Sequence, residues 1–316
     1  MIRKIKSKIR NNFQTYLSQT LNHLPNHGSV TLVDIGAAGS IEPRWKPYTK
    51  HINYIGFEPD KRSREALLNK KNDFIDYKIY PYALSKKNEV RTLNLCKTPT
   101  VSSLYNPNEK FIDRFPNSNR FMVVGTEKMS CIKIDEVDIE MADFLKIDIQ
   151  GGELDVIKGG QKTIKNTFGL EIEVEFINLY SNQPLFGDIC NELSANGFEF
   201  FDFVNLIRWG RSSHNSHGQC VFGDALFLRS PESININNLG LKRTGAYLAI
   251  LTIYSRFDLI EKTYELMDQN LKKEFDLFFK RIKKVKSRNA LVRKFSAFAG
   301  RFVKLVGDNY KIHLLE

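Results

Sequence analysis

The stretch SVTLVDIGAAG, residues 29–39, joins a run of apolar and β-branched residues to a turn that contains two glycines. Such a run indicates a buried β-strand, and glycines directly after it allow the backbone to approach a ligand closely. A helix that begins after the turn would add free backbone N–H groups. We therefore predict an α/β domain whose first turn binds a ligand through Gly36, Ala37 and Gly39.

An acidic residue, Asp34, stands just before the first glycine of this turn, where dinucleotide-binding turns usually have an apolar residue. A carboxylate at that position would repel a pyrophosphate and suits a cationic ligand. The turn also lacks the third glycine of the G-x-G-x-x-G fingerprint. Both features favour a cationic adenosine ligand bound near Asp34. An oxidoreductase that binds a nicotinamide dinucleotide is the alternative enzyme.

Two further acids follow predicted strands. Glu58 ends the strand that starts at Tyr54, nineteen residues after Gly39, where an acid can accept two hydrogen bonds from a ribose diol. Asp148 ends the apolar run 144–149, where a buried carboxylate without a partner would be costly. We expect Glu58 to bind a ribose and Asp148 to orient a hydroxyl nucleophile or accept its proton. A solvated carboxylate at the end of a strand is the alternative for Glu58.

Strands and helices alternate along most of the chain, which indicates a mostly parallel sheet covered on both faces. Further strands are expected at 76–83, 90–95, 121–134, 144–149, 170–176, 199–205 and 220–228. Helices are expected at 61–71, 153–158, 164–167 and 186–196. The last two strands are predicted to form an antiparallel hairpin. The organisation is then a basic N-terminal helix (1–28), an α/β domain (29–230) and, after a Ser/Asn-rich boundary, a basic helical extension (241–316).

Composition and charge limit the classes of function. Of the 316 residues, 42% are hydrophobic and 26% charged, which is typical of a folded globular protein. The net charge of +11 lies at the ends, with +5 in residues 1–30, +9 in residues 271–316 and −3 between them. The middle of the chain is mildly acidic and therefore does not favour binding of a polyanion. Nucleic acid is not an expected partner, although the basic tail could bind RNA. The four cysteines lie far apart and predict free thiols in a cytoplasmic protein.

Several of these segments together resemble the FkbM family of S-adenosylmethionine-dependent methyltransferases. The resemblance covers roughly residues 30 to 230 and depends on the order and spacing of the segments more than on any one of them. They are VDIGAAG (33–39), IGFEPD (55–60), ALS (83–85), SSL (102–104), LKIDIQGGELDVIKGG (145–160) and GDALF (223–227).

The resemblance implies a Rossmann-like class I methyltransferase fold, with a mostly parallel seven-stranded sheet and an antiparallel last strand. It further implies that the glycine turn holds the methionine portion of the cofactor, Glu58 the ribose and the region near Ala83 the adenine. The strand of Asp148 then lies at the reaction centre, and the acceptor is a hydroxyl of a sugar in a glycan or glycosylated metabolite. Many relatives carry Glu where this chain has Gln150, which keeps hydrogen bonding but lacks charge.

Other polar residues have alternative interpretations. His214 and His217 in the hairpin loop could act as a base or bind substrate, but such loops are more often solvated. Ser102–Ser103 either lines the acceptor pocket or belongs to an ordinary turn. The run 171–175 places three glutamates on one strand face, at the solvent side or at the mouth of the site. Glu153 either takes part in the reaction or is a helix-start acid. Hard oxygen ligands would suit Mg²⁺, but the scattered acids do not indicate a metal site.

The basic C-terminal segment has two interpretations. Residues 271–305 could lie on an anionic bilayer as a basic amphipathic helix, which would place the protein at the inner face of the membrane. Alternatively, its apolar residues pack on the folded protein and its basic residues face solvent. The apolar residues concerned are Phe275, Phe278, Phe279 and Ile282. No apolar stretch reaches the roughly 20 residues that a membrane-spanning helix needs.

Overall fold

The structure is a computed structural model that describes residues 13–39, 41–211 and 218–285. It divides into two units. One consists of residues 30–234, and the other combines residues 1–29 with residues 235–316. The described parts of the N-terminal and C-terminal segments, residues 13–29 and 235–285, therefore fall within one unit. His214 and His217 lie outside the described residues.

The helices and strands have the following bounds. The strands are β1 (Val30–Ile35), β2 (Ile52–Phe57), β3 (Asp76–Tyr80), β4 (Ala83–Leu84), β5 (Glu89–Cys96), β6 (Val123–Ile132), β7 (Phe144–Ile147), β8 (Gly169–Glu175), β9 (Glu199–Trp209) and β10 (Gln219–Leu228). The helices are α1 (13–21), α2 (Lys61–Leu68), α3 (Glu109–Ile112), α4 (Glu153–Gly159), α5 (Gln161–Lys165), α6 (Phe186–Ala195), α7 (Gly240–Ile253), α8 (Phe257–Leu266) and α9 (269–285).

Seven strands form one sheet in the order β3-β2-β1-β7-β8-β10-β9. Neighbouring strands from β3 to β8 are parallel, whereas β10 runs antiparallel to both β8 and β9. The predicted α/β fold is confirmed: the sheet is mostly parallel, and its last strand in sequence is antiparallel. This is the strand arrangement expected of a Rossmann-like class I methyltransferase.

The central strands explain why the predicted site residues meet at one edge. β1 lies between β2 and β7, and Asp34 is in register with Gly56 on one side and Lys146 on the other. One core cluster buries apolar residues from all three strands, namely Val33, Ile35, Phe57, Leu145 and Ile147. Because parallel strands end at the same edge of a sheet, the residues that follow β1, β2 and β7 are brought together there.

A second, smaller sheet with the order β4-β6-β5 was not predicted. The expected strand 76–83 is divided in the structure, so that β3 belongs to the large sheet and β4 to the small one. Pro81 lies at the division, and proline has no N–H to continue a ladder of hydrogen bonds. The short strand β4 therefore leaves the edge of the large sheet and pairs with β6, with Ala83 opposite Cys131.

The described part of the other unit is helical. Thr244 to Ile253 of α7 are buried throughout, as expected for a helix that is apolar all around. On α9, the side chains of Phe275, Phe278, Phe279 and Ile282 are all at least nine-tenths buried. These apolar groups are therefore packed within the protein. The membrane contact predicted for residues 271–305 stays a prediction, and residues 286–305 lie outside the described part. None of the described helices is both long and apolar enough to cross a bilayer.

The first prediction concerns the turn after β1. Gly36 has φ +82° and a Cβ atom there would lie 1.9 Å from the carbonyl oxygen of Asp148. We expect Gly36→Ala to lower the free energy of unfolding by about 3 kcal/mol or more, because the backbone strain adds to a clash with another backbone atom. Urea denaturation monitored by circular dichroism measures this change.

Gly39→Ala is the matched control, because Gly39 also has a positive φ, +96°, but a Cβ atom there would meet nothing within 4 Å. It should cost only the strain of about 1–2 kcal/mol. Equal losses in the two variants would contradict the close approach of Gly36 to Asp148.

Candidate functional site

A cleft of about 690 Å³ opens at the carboxyl edge of the large sheet. Its wall includes four of the predicted site residues, Gly36, Glu58, Ala83 and Asp148. These residues follow or begin four different strands, and the topology of the sheet brings them together.

The backbone N–H groups of the glycine turn, which we expected to face a ligand, form hydrogen bonds within the sheet. The N–H groups of Gly36 and Ala37 donate to the carbonyl oxygen of Phe57, at 3.0 and 3.1 Å, so they connect β1 to β2 rather than facing a ligand. Ala38, between the predicted residues Ala37 and Gly39, lines the cleft. The expected helix start after the turn is not found in the described residues, and the next helical segment is a 3₁₀ turn at Lys46–His51.

Asp34 lies behind the cleft rather than in its wall. Its carboxylate is 3% exposed and accepts a hydrogen bond of 2.7 Å from the Tyr54 hydroxyl. The Lys146 ammonium is 3.8 Å from its other oxygen. Burial raises the pKa of Asp34, while Lys146 and the Tyr54 hydroxyl act against that rise. In the structure the Asp34 carboxylate therefore contacts Tyr54 and Lys146, and the binding of a cationic ligand near it stays a prediction.

Glu58 is placed as the sequence predicts. Its carboxylate is 4% exposed and lines the cleft, and its Oε1 accepts a hydrogen bond of 2.8 Å from the backbone N–H of Asp60. Burial raises the pKa of Glu58 to about 7. The Asp60 side chain accepts from the N–H of Arg62 and caps α2, which fixes the start of the helix beside Glu58.

Asp148 projects into the cleft directly after β7. Its N–H donates to the Ile35 carbonyl at 2.9 Å, which ties it to the end of β1, and its side chain is 33% exposed. The Lys146 ammonium lies 3.4 Å from Oδ2. Burial opposes the charge of Lys146, but Asp148 and Asp34 outweigh it and raise the pKa of this lysine. A single buried cation thus compensates two carboxylates, one behind the cleft and one within it.

The Glu153 carboxylate is buried and accepts hydrogen bonds from the backbone. It is 2% exposed, and its Oε1 accepts hydrogen bonds from the N–H groups of Ile149 and Gly151 at 3.0 and 3.1 Å. Burial raises its pKa to about 7 despite these bonds. The carboxylate at the start of α4 therefore holds the loop that follows Asp148. Glu153 is absent from the residues that line the cleft.

The three glutamates of β8 lie neither on the solvent side nor in the open mouth of the cleft. Glu171, Glu173 and Glu175 are 2%, 8% and 2% exposed. Glu171 forms an ion pair of 3.2 Å with Arg44, and Glu173 accepts a hydrogen bond of 2.7 Å from the Gln150 amide. Burial raises the pKa values of Glu173 and Glu175 well above the usual range for glutamate. These acids form a buried layer next to Asp148.

Ser102 and Ser103 line the cleft, as one of their two interpretations proposed. Both hydroxyls also have structural partners. Ser102 Oγ accepts from the N–H of Cys96 at 3.0 Å, and Ser103 Oγ donates to the Gln150 carbonyl at 2.6 Å. The sequence analysis missed Tyr82, which lines the cleft beside Ala83 and is 38% exposed. An aromatic residue next to the Pro81 break was the available signal.

The charge of the wall favours a cation. The lining residues include the acids Glu58, Asp60 and Asp148 but no lysine or arginine. Such a wall is unfavourable for a pyrophosphate and favourable for a positively charged ligand. Within the described ranges, no group of three or more His, Cys, Asp or Glu side chains is arranged to hold a metal ion.

Solved structures with a similar fold give weak matches. A methyltransferase FkbM from Methylobacillus flagellatus matches with a TM-score of 0.39 and 15% identity over 64% of this chain, which spans only 44% of that protein. Magnesium protoporphyrin IX methyltransferase from Synechocystis, solved with bound S-adenosylmethionine, matches with a TM-score of 0.35 and 11% identity, over 72% of this chain and 82% of that one. A methyltransferase from Listeria monocytogenes matches with a TM-score of 0.37 and 8% identity, over 68% and 98%. At these scores the likenesses carry no argument.

The family assignment comes from the sequence. No match was found among curated proteins. A family model described as the methyltransferase FkbM domain matches residues 34–200, slightly more than half of the chain. That range begins at Asp34 in the glycine turn and includes Glu58, Ala83 and Asp148. The chain therefore belongs to the FkbM methyltransferase family and is a methyltransferase.

Proposed function

We propose that this methyltransferase uses S-adenosylmethionine and transfers its methyl group to a hydroxyl, on a sugar of a glycan or glycosylated metabolite. The observation that carries the proposal is the cleft wall, in which Glu58 and Asp148 stand at the ends of β2 and β7, on either side of β1, without a basic residue among the lining side chains. The nicotinamide alternative is disfavoured, because the same wall would repel a pyrophosphate.

The residues of the cleft fit this cofactor. Glu58 has one carboxylate oxygen held by the Asp60 N–H, which orients the group to accept hydrogen bonds from a ribose diol. Ala83 and Tyr82 would border the adenine, and the turn at Ala38 the methionine portion. When bound, S-adenosylmethionine supplies a methyl group on a positively charged sulfur. The acids of the wall favour that charge.

Methyl transfer to a hydroxyl is an in-line displacement. The carbon–sulfur bond breaks as the carbon–oxygen bond forms, the hydroxyl proton must be accepted, and S-adenosylhomocysteine leaves. Most of the protein's contribution is alignment, which can lower the barrier by about 7–11 kcal/mol. Asp148 is the group in this cleft that combines an exposed carboxylate with a position next to the glycine turn. We assign it the acceptance of the proton and the orientation of the hydroxyl.

The sugar acceptor is supported by the resemblance to the family and by the chemistry of the wall. Asp148 is suited to a hydroxyl, because a carboxylate can accept the proton that the nucleophile must lose. The absence of basic side chains from the lining residues disfavours a phosphorylated or otherwise anionic acceptor. Incubation of the protein with methyl-labelled S-adenosylmethionine and fractionated neutral glycans, followed by mass spectrometry of the labelled product, tests the acceptor class.

The second prediction concerns Glu58. Because its pKa is about 7, the carboxylate ionises between pH 6 and pH 8. Only the ionised form accepts hydrogen bonds through both oxygens. We expect the affinity for S-adenosylmethionine to rise about tenfold from pH 6 to pH 8, as one proton leaves. At pH 8, Glu58→Gln should weaken binding by about 2 kcal/mol and remove most of the pH dependence. Isothermal titration calorimetry measures both effects.

Glu65→Gln on α2 is the control for this substitution, since Glu65 is exposed and pairs with Lys61 at 3.8 Å. Its affinity for the cofactor should equal that of the wild type. The ribose assignment fails if Glu58→Gln binds as tightly as the wild type, and the cofactor assignment fails if NADH binds in place of S-adenosylmethionine.

The third prediction concerns Asp148. Asp148→Asn keeps the shape of the side chain and an oxygen for the Gln150 amide but removes the base. Methyl transfer to the acceptor should slow by about 10²–10⁴-fold, while the dissociation constant of S-adenosylmethionine changes little. Release of labelled product and calorimetric titration give the two quantities. Asp73→Asn, a change at an exposed loop carboxylate, serves as the control. Full activity of Asp148→Asn would exclude Asp148 from the reaction.

A further inference from the structure

Gln150 is held in an unusual conformation at the edge of the cleft. It lines the cleft, and its backbone has φ +61°, in the left-handed region that residues other than glycine rarely adopt. The hydroxyl of Ser103 donates to its carbonyl oxygen at 2.6 Å. Residues in such strained conformations are retained where the surrounding structure fixes them, often at functional sites.

The Gln150 amide connects two carboxylates. Its Nε2 donates to Oδ1 of Asp148 at 3.1 Å and to Oε1 of Glu173 at 2.7 Å, which uses both of its N–H groups. Its Oε1 lies 2.8 Å from the Tyr180 hydroxyl, whose single proton is shared with the Val101 carbonyl at 2.9 Å. The nitrogen side of the amide thus faces the two carboxyl groups, and its oxygen side faces the Tyr180 hydroxyl.

The charges around this amide explain why a donor is needed there. Asp148 has Lys146 beside its Oδ2 at 3.4 Å, whereas Glu173 accepts a hydrogen bond from the Gln150 amide. Burial, together with the charges of Asp148 and Glu175, raises the pKa of Glu173 well above the usual range. Two carboxylates in a buried layer repel each other unless a proton, a cation or a hydrogen-bond donor lies between them.

We propose that Gln150 is a positioning residue, whose amide takes the place of a divalent cation between Asp148 and Glu173. It fixes the carboxylate of Asp148 toward the cleft, and it keeps a metal ion out of the reaction centre, so that methyl transfer proceeds without one. The role assigned to Asp148 rests on the proposed function. The bridge itself does not, because it consists of contacts within the protein.

A gain of metal binding tests this inference without cofactor or acceptor. Gln150→Glu replaces the two donors by a third carboxylate of nearly the same shape. We expect the full-length variant to bind Mn²⁺ at pH 8 at least about tenfold more tightly than the wild type, because affinity rises with the number of charged oxygen ligands. Mn²⁺ alone is titrated, with electron paramagnetic resonance to count the free ion. Addition of Asp148→Asn to Gln150→Glu should abolish the gain.

The controls separate this effect from an added charge or a damaged fold. Gln161→Glu adds the same charge on exposed α5 and should leave Mn²⁺ binding as in the wild type. Gln150→Asp carries the shorter carboxylate and is used if Gln150→Glu does not fold, with the same gain expected. Restoration of a lowered melting temperature by Mn²⁺ in either variant supports the proposal. Wild-type binding of Mn²⁺ that is lost in Asp148→Asn would overturn it, as would the absence of any gain in the folded variants.

These outcomes are independent of the proposed function. If S-adenosylmethionine does not bind to the wild type, the assignment of the cleft fails while the Mn²⁺ measurement still decides whether Gln150 replaces a cation. Conversely, if Mn²⁺ binding does not change, Asp148 can still act as the base, but Gln150 then has only a structural role.

Discussion

The site depends on how closely the ends of β1 and β7 approach each other. A Cβ atom on Gly36 would lie 1.9 Å from the carbonyl oxygen of Asp148, so only glycine permits this approach. Hydrogen bonds lock the neighbouring ends together: the N–H of Asp148 donates to Ile35 at 2.9 Å, and the N–H of Gly36 donates to Phe57 at 3.0 Å. The strands β1, β2 and β7 thus end at the same edge of the sheet, and residues that follow them form one wall of the cleft.

The acids in that wall and directly behind it are only partly neutralised by cations. Lys146 serves both Asp34 and Asp148, whereas Glu153 is held by backbone N–H groups and Glu173 by an amide. Neutral donors stabilise a carboxylate without cancelling its field. Burial, together with the charges of Asp60 and Asp34, raises the pKa of Glu58 to about 7, so that protons remain bound at this carboxyl group near neutral pH. A cationic ligand would favour their release, which couples its binding to pH.

The sequence predicted the positions at strand ends better than the environment of each side chain. Glu58 and Asp148 directly follow apolar runs that are typical of buried strands. Their positions in the cleft follow because these strands are parallel and end at the same edge of the sheet. The partner of Asp34 could not be predicted, because Tyr54 is distant in sequence and meets it only through the pairing of β1 with β2. The alternating glutamates of β8 imitate a half-exposed strand. In a sheet covered on both faces that pattern does not report exposure, and all seven residues of β8 are buried.

Gln150 illustrates how one side chain can alter the chemistry of a fold without altering its backbone. The left-handed conformation and the hydrogen bond from Ser103 fix the position of the Gln150 backbone. Asp148 and Glu173 both accept hydrogen bonds from its side-chain amide. An amide satisfies both carboxylates with hydrogen bonds alone. A glutamate at the same position would place a third carboxylate among them, and a proton or a cation would then have to compensate it. On our proposal for Gln150, one oxygen exchanged for one nitrogen decides whether a metal ion binds at these strand ends.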